Sequence, residues 1–324
     1  MKYYIAIPTY NGGDIWREVV SNIKKYSTDE LFVHVIDSGS VDSTKLIAEE
    51  AGFDVTCISS KDFNHGGTRN QAVYKYINEF DIVIFLTQDA IPEDGFIDNI
   101  ISVFKNEKVA CAYGRQLPHF SANPLAQHAR AFNYPNKSYV CGKNNVSALG
   151  LKSVFMSNSF SAYRLSAFKE LEGFPSNTIL CEDMFYAAKA ILAGYQVAYA
   201  ADAVVRHSHN YKPLEEFKRY FDIGVFHAQE KWIREKIGGA GGEGKKFILS
   251  EMKFLVKNAP LWIPLACINN CMKFFGYKLG QNYASIPLKL VRMLSCFFYT
   301  SDVARFHPSV AFGCVCLSPG HKCS

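Results

Sequence analysis

The sequence lacks three features that are typical of secreted or membrane-spanning proteins. Its first residues, MKYYIAIPTYNGG, contain no basic segment followed by an apolar stretch and a small-residue cleavage site, so we expect no signal peptide. No window reaches the roughly 18 consecutive apolar residues that are typical of a membrane-spanning helix. The 10 cysteines follow no framework spacing, and we therefore expect reduced thiols in the cytosol.

The excess of basic charge is confined to the C-terminal part of the chain. Between Lys245 and Arg305, nine Lys and Arg residues face two acids, Glu251 and Asp302, which gives a local charge of +7. A net charge of +5 for the whole chain, less +7 for this segment, leaves −2 for the remainder. Because the larger part of the chain is not basic, we expect no nucleic-acid partner.

The first 110 residues alternate apolar runs with segments of helical periodicity. We predict strands and helices in the order 3–9, 15–26, 31–37, 41–52, 53–60, 66–80 and 81–89, beginning and ending with a strand. This alternation predicts an α/β fold with a central, mostly parallel sheet and helices on both faces. In such sheets, ligands bind beyond the carboxyl ends of the strands.

Polar residues follow each of these predicted strands. They are Pro8, Thr9, Tyr10 and Asn11 after the first, Asp37 after the second, the Asn64-His65-Gly66-Gly67 turn after the third, and Gln88 and Asp89 at the end of the fourth. Because parallel strands end at one edge of a sheet, we expect these side chains to converge on a common rim.

The middle of the chain carries further polar residues at the ends of predicted elements. We predict a strand at 154–157 before Asn158 and Ser159, a helix at 181–195 that opens with Glu182 and Asp183, and a strand run at 196–211 that leads to His207 and His209. An amphipathic helix is predicted at 213–233. The glycine-rich segment 238–244 predicts a linker, so we divide the chain into a catalytic domain (1–237) and a basic, aromatic-rich helical region (245–324).

Six separated motifs resemble those of family 2 inverting glycosyltransferases of the GT-A fold. In order they are IPTYNGG, IDSGSVDST, NHGGTRN, FLTQDA, the Glu-Asp pair and VVRH. NHGGTRN, FLTQDA, HSHNY and FKRYFDIGVFHAQ also resemble the rhamnosyltransferase branch. The resemblance covers about residues 1–233 and implies transfer of a sugar with inversion, by single displacement, to a growing cell-surface polysaccharide or lipid-linked glycan.

The resemblance favours L-rhamnose from dTDP-β-L-rhamnose as the donor group. Two alternatives stay open: the same chemistry with a UDP-hexose or UDP-N-acetylhexosamine, and a non-catalytic protein that only binds nucleotide sugars. A nucleotidyltransferase would be expected to carry a glycine-rich signature near the first strand, and PTYNGG is not one.

The resemblance also implies roles for individual residues. Asp183 is the expected catalytic base, with Glu182 as an orienting or acceptor-binding neighbour and Asn158 and Ser159 on the acceptor side. The expected nucleotide-sugar-binding residues are Pro8, Thr9, Tyr10, Asn11, Asp37, Gly66, Arg69, Gln88 and Asp89. For Asp37, an Asx-type turn is the structural alternative to a base contact.

The metal-binding triplet of this family is reduced in this chain. Its position reads Thr87-Gln88-Asp89 and lacks the first carboxylate. We expect Mg²⁺ or Mn²⁺ to be held by Asp89 and His207, with His209 as the alternative ligand. A histidine that only hydrogen-bonds in the core is the competing interpretation.

The C-terminal region interleaves aromatic residues with basic ones. The basic residues are Lys253, Lys257, Lys273, Lys278, Lys289 and Arg292. This pattern is typical of helices on an anionic membrane surface, and a packed appendage or homodimer surface is the alternative. We expect a cytoplasmic protein, peripheral at the inner face of the membrane. Beyond this region, Cys314, Cys316, His321 and Cys323, with His307 upstream, do not have zinc-finger spacing, so we expect a loosely ordered tail.

Overall fold

The computed structural model of the chain describes residues 1–296. The Cys/His-containing tail and its predicted loose order lie outside these residues.

Within residues 1–296, nine strands form a single mixed sheet in the order β3-β2-β1-β4-β8-β6-β9-β5, with β7 paired to β9. The strands are Tyr3–Thr9 (β1), Val33–Asp37 (β2), Asp54–Cys57 (β3), Ile82–Leu86 (β4), Ile91–Pro92 (β5), Val109–Leu117 (β6), Tyr139–Cys141 (β7), Phe160–Arg164 (β8) and Gln196–Arg206 (β9). The N-terminal half, from β3 to β4, is entirely parallel. β8 runs antiparallel between β4 and β6, and β6 and β9 are parallel.

Helices cover both faces of the sheet. They are Gly13–Lys25 (α1), Thr44–Glu50 (α2), His65–Tyr76 (α3), Phe96–Ser102 (α4), Pro124–Asn133 (α5), Val146–Leu149 (α6), Leu165–Glu170 (α7), Glu182–Leu192 (α8), Pro213–Gln229 (α9), Lys231–Ile237 (α10), Glu243–Asn258 (α11), Ile263–Gln281 (α12) and Leu288–Leu294 (α13). The predicted α/β class is confirmed, including the C-terminal helices.

The hydrophobic core forms two layers, one on each side of the sheet. Successive residues of β4 alternate between them, with Ile84 in one layer and Phe85 in the other, as the two-residue period of a strand requires. Every residue of β4 is buried, which explains its almost wholly apolar sequence. β4 is central as predicted, although one of its two neighbours runs antiparallel.

Two predicted elements are wrong. No strand forms at 154–157, and β8 begins only at Phe160. Residues up to Val154 belong to a short 3-10 helix, and the N–H of Phe160 closes a turn onto the carbonyl oxygen of Ser157. The helix expected at 213–233 breaks at Glu230, where α9 ends and α10 begins. The break lets α10 bury Ile233 in the main core while Phe221 of α9 packs in a separate cluster.

The C-terminal helices pack closely against the rest of the molecule. α12 lies along α9 through glycines on both helices, and a Cβ atom added at Gly280 would lie 2.0 Å from the carbonyl oxygen of Phe221. α11 begins at Glu243, inside the segment predicted as a linker. Among the helices of the described chain, none combines the length and apolar composition needed to cross a bilayer. The division into two domains stays a prediction.

Replacing Gly280 by Ala is expected to lower the free energy of unfolding by about 1–3 kcal/mol, because the added methyl group overpacks the α9–α12 contact. Gly244→Ala is the control, since no atom lies within 4 Å of a Cβ added there. Urea unfolding of both variants measures the difference. Equal midpoints for Gly280→Ala and the wild type would contradict this packing.

Candidate active site

A cavity of about 1430 Å³ lies at the carboxyl ends of β1, β2 and β4. Most of the predicted site residues line it, namely Pro8, Thr9, Tyr10, Arg69, Gln88, Asp89, Asn158, Ser159, Glu182, Asp183, His207 and His209. Asn11, Asp37 and Gly66 do not line it. The expected convergence on one rim is therefore observed for the ends of β1 and β4, while Asp37 lies behind the cavity wall.

Asp37 organises the loop after β2. Its Oδ1 accepts hydrogen bonds from the backbone N–H groups of Gly39 and Ser40, at 3.1 and 2.8 Å, and its Oδ2 accepts from the hydroxyl of Thr9 at 3.0 Å. The Asx-type turn is thus present, and the side chain is only 1% exposed. A contact between Asp37 and a base stays a prediction.

Gln88 holds the loop after β1 by both atoms of its amide group. Its Oε1 accepts from the backbone N–H of Tyr10 at 2.7 Å, and its Nε2 donates to the carbonyl oxygen of Tyr10 at 3.0 Å. The Tyr10 ring is left 52% exposed at the cavity, where it offers a flat face to a ligand. Gln88 is the middle residue of the triplet, and it positions Tyr10 by donating and accepting at once, as only an amide side chain can do here. The missing carboxylate belongs to the preceding position, Thr87.

The turn before α3 contributes in a different way from the one predicted. A Cβ atom at Gly66 would lie 2.0 Å from the carbonyl oxygen of Pro175, so the glycine is required by close packing of two backbone segments. Contact of Gly66 with phosphate stays a prediction. Arg69, one turn further on, is 5% exposed and lines the cavity.

Glu182 and Asp183 begin α8 and differ in their surroundings. Glu182 accepts from Asn158 Nδ2 at 2.8 Å and lies 3.3 Å from Arg69 Nη1. Burial opposes its ionisation, but Arg69, His65 and Asn158 outweigh burial and lower the pKa of Glu182. Both contacts are made by Oε1 and hold the side chain in place, which fits an orienting role better than contact with an acceptor.

Asp183 is held toward the cavity with a carboxyl group that ionises near neutrality. It accepts from the backbone N–H groups of Met184 at 2.7 Å and Asn158 at 3.1 Å. Burial and the charge of Glu182 raise the pKa of Asp183 to about 7. A carboxylate with such a pKa is well matched to accepting a proton at neutral pH.

Asn158 joins the two acids to the sheet. Its backbone N–H and its side-chain amide donate to Asp183 and Glu182, while its Oδ1 accepts from the hydroxyls of Ser161 and Tyr163 at 2.8 and 2.7 Å. With all these groups engaged, Asn158 positions the acids. Direct contact with an acceptor, for Asn158 as for Ser159, stays a prediction.

Asp89, His207 and His209 form a cluster that can hold a metal ion. Oδ2 of Asp89 lies 3.4 Å from Nε2 of His207 and 3.5 Å from Nε2 of His209. The ligand atoms of the three residues lie within 4.8 Å of one another. Burial opposes ionisation of Asp89, but the two histidines outweigh it and hold the pKa of Asp89 well below its usual range. Burial and His207 lower the pKa of His209 to about 4, so its imidazole is neutral at pH 7, as a ligand must be.

Gln116 fixes the tautomer of His207. Its Oε1 accepts from Arg130 Nη1 at 2.9 Å and lies 2.9 Å from His207 Nδ1. Because arginine only donates, the Gln116 atom that faces both groups is the oxygen, and His207 Nδ1 therefore carries the proton. Nε2, which faces Asp89 at 3.4 Å, is then the nitrogen available to a metal ion, as in histidine ligands oriented by an outer partner.

Sequence reasoning missed Gln116 and Arg130. Gln116 lies near the end of β6, where the apolar run gives way to polar residues. That change from apolar to polar residues would have marked Gln116 if β6 had been predicted. Ser60, Lys61, Phe63 and His65 also line the cavity beside Arg69. Ser60, Lys61 and Phe63 lie between β3 and α3, and His65 is the first residue of α3. The polar turn predicted at residues 64–67 was the signal for this segment.

Solved glycosyltransferase structures share this fold. A mannosyltransferase from Pyrobaculum calidifontis, in complex with GDP-Man and Mn²⁺, superposes with a TM-score of 0.55 at 18% identity over 96% of this chain and 86% of its own. TarS 1–349 of S. aureus gives a TM-score of 0.52 at 15% identity over 88% and 91%. The molecule has a GT-A-type fold, as the resemblance in sequence implied.

The chain belongs to glycosyl transferase family 2, whose family model matches residues 4–172. It is 55% identical to the O-antigen chain rhamnosyltransferase RfbN of Salmonella typhimurium, over 92% of this chain and 95% of the relative. It is 51% identical to the O-antigen chain rhamnosyltransferase WbaN of Salmonella anatum, over 91% and 94%. The predicted family and the resemblance to its rhamnosyltransferase branch are confirmed.

Proposed function

We propose that this chain transfers L-rhamnose from dTDP-β-L-rhamnose to a hydroxyl of a growing O-antigen-type glycan, with inversion and by a single displacement. The observation that carries the proposal is the placement of Asp183, with its pKa of about 7, on the same cavity as the Asp89, His207 and His209 cluster. The choice of sugar and acceptor class is supported by the two Salmonella relatives named above.

In this mechanism each side of the cavity has one task. The exposed ring of Tyr10 stacks on the base, and Arg69 and Lys61 bring positive charge to the diphosphate side. Asp183 takes the proton from the acceptor hydroxyl as that oxygen attacks the anomeric carbon. Because one displacement suffices, the leaving diphosphate departs from the opposite face and no covalent intermediate forms on the protein.

The residues present fit a divalent metal ion. One carboxylate and two imidazoles, one of them oriented by Gln116, form the donor set. When bound, the metal would neutralise negative charge on the leaving diphosphate. The two imidazoles favour Mn²⁺ over Mg²⁺, because Mg²⁺ prefers oxygen ligands.

A donor panel tests the proposed sugar. The purified protein is incubated with dTDP-β-L-rhamnose, UDP-glucose, UDP-galactose or UDP-N-acetylglucosamine and a rhamnose-accepting glycan fraction, and the released nucleotide is measured. We expect release of dTDP only. Turnover restricted to UDP-sugars would contradict dTDP-β-L-rhamnose as the donor and support the alternative donor class. No turnover with any donor would favour the non-catalytic alternative.

The pH dependence of transfer follows from Asp183. Since its pKa is raised to about 7, the basic form is lost as pH falls below 7, so kcat/KM is expected to drop about tenfold per pH unit there. Above pH 7 the carboxylate is ionised and this dependence disappears. Initial rates from pH 5 to 9 measure the profile. A rate that stays constant down to pH 5 would contradict the assignment.

We further propose that the C-terminal helices attach the protein to the cytoplasmic face of the membrane. Apolar side chains on α11, α12 and the turn between them are exposed, and Leu261 (92%), Val256 (66%) and Leu249 (61%) are the largest such exposures there. These two helices also carry the exposed basic side chains Lys253, Lys257 and Lys278, and Lys289 follows on α13. Lys273, predicted to belong to this surface, instead pairs with Glu216 inside the cavity.

Vesicle sedimentation tests the membrane surface. The protein is expected to bind vesicles that contain phosphatidylglycerol and to bind phosphatidylcholine vesicles at least tenfold more weakly, because the basic residues supply part of the affinity. The variant Lys253→Glu/Lys257→Glu should lose this preference. Equal binding of both vesicle types, or a stable dimer with no vesicle binding, would contradict membrane attachment by these helices.

A further inference from the structure

The cavity extends beyond the acid pair to a second end formed by the C-terminal helices. This helical end is lined by Glu216, Tyr220, Phe247, Glu251, Asn269 and Lys273, from α9, α11 and α12. These residues lie beyond residue 172, where the match to the family 2 model ends, and they come from helices that follow the acid pair and the histidines in the chain.

Two buried polar atoms at the helical end have no hydrogen-bond partner among residues 1–296. They are Oδ1 of Asn269 and Oε2 of Glu216, in side chains of residues that are only 4% and 8% exposed. A buried acceptor without a partner destabilises the folded protein, and both residues line the cavity. Both atoms are acceptors, so a ligand that completes them must bring hydrogen-bond donors.

The other residues at this end limit the chemistry of that ligand. Lys273 Nζ lies 3.1 Å from Glu216 Oε1 and compensates one of the two carboxylates at this end. The other carboxylate, on Glu251, accepts from the neutral amide of Asn270 at 2.6 Å. The rings of Tyr220 and Phe247 lie on either side of Lys273, with centroids 5.7 and 5.1 Å from its Nζ. Two carboxylates with one cation between them and the unfilled acceptors favour a neutral polyhydroxyl group over a phosphate, which is an anion and at neutral pH offers few donors.

We propose that the helical end of the cavity is a subsite for a sugar residue of the acceptor glycan, whose hydroxyls donate to Asn269 Oδ1 and Glu216 Oε2. This inference rests on the proposed function for the orientation of the acceptor glycan. The glycan enters past α9 and α12, and its reacting end points toward Asp183. It places selection of the acceptor on the C-terminal helices and activation of the reacting hydroxyl on α8.

Saturation-transfer NMR without any donor tests the subsite separately from transfer. The probes are methyl α-L-rhamnoside, methyl α-D-mannoside and methyl β-D-galactoside, with inorganic phosphate as the anionic competitor. The wild type is expected to bind at least one glycoside, and phosphate should not displace it. Asn269→Ala should weaken binding roughly tenfold, the loss of one hydrogen bond to a buried acceptor. A failed donor panel would leave this result standing, because no donor is present.

Two further variants separate binding from folding. Asn282→Ala, on an exposed Asn directly after α12, is the control and should bind as the wild type does. Glu216→Gln places an amide at the second acceptor with little change in shape and should also weaken binding. Absence of glycoside binding to the wild type, displacement by phosphate, or equal binding by Asn269→Ala and Glu216→Gln with unchanged Tm would overturn the subsite.

Discussion

Asp183→Asn is expected to lower kcat for transfer by roughly 10²–10⁴-fold, the usual contribution of a positioned general base, while the Kd of the donor changes little. The amide is nearly isosteric with the carboxylate but has no basic oxygen. Its oxygen can keep one of the hydrogen bonds that Asn158 and Met184 now donate. Single-turnover kinetics and calorimetric titration of the donor measure the two quantities separately.

The control for this variant is Asp202→Asn, which removes an exposed carboxylate from β9. It should transfer at the wild-type rate. If Asp183→Asn also transfers at that rate, Asp183 is not the base. Retained donor binding with lost transfer excludes the alternative of a protein that binds nucleotide sugars without catalysis.

Removal of the metal is expected to abolish transfer, and Asp89→Asn is expected to lower kcat/KM by roughly 10²–10³-fold. The reason is that Asp89 is the only carboxylate of the cluster, and charge neutralisation by a metal contributes several kcal/mol to such reactions. Transfer is measured after treatment with EDTA and again after addition of Mn²⁺ or Mg²⁺. Recovery should be greater with Mn²⁺.

Matched variants show which histidine matters more. His207→Ala should cost more than His209→Ala, because Gln116 orients His207 and the side chain is buried. Asp94→Asn, an exposed carboxylate five residues after Asp89, is the control. Full activity in EDTA together with an active Asp89→Asn variant would show that the reduced triplet works without a metal.

The catalytic rim could be predicted from the sequence because it follows a simple physical rule. Parallel strands end at one edge, so polar residues after apolar runs, such as Thr9 and Asp89, lie together in space. The acid pair at 182–183 could be predicted for a related reason. Carboxylates are favoured in the first turn of a helix, so two acids at the start of a predicted helix mark its N-terminus. The resemblance to family 2 then supplied the roles, which the pattern alone did not contain.

The parts that could not be predicted depend on contacts between distant segments. Asn158 serves the acid pair from 24 residues away, and Gln116 fixes His207 from 91 residues away. Lys273 is part of a regular basic pattern in the sequence, yet it points inward because Glu216 on α9 lies opposite. Local periodicity carries no information about such partners.

The anomeric configuration of the product tests the central claim most directly. The wild-type protein is incubated with dTDP-β-L-rhamnose and the acceptor glycan, and the one-bond C1–H1 coupling of the new rhamnose is measured by NMR. A single displacement with Asp183 as base predicts an α-L-rhamnoside. A β-L-rhamnoside would mean retention of configuration and would contradict the account.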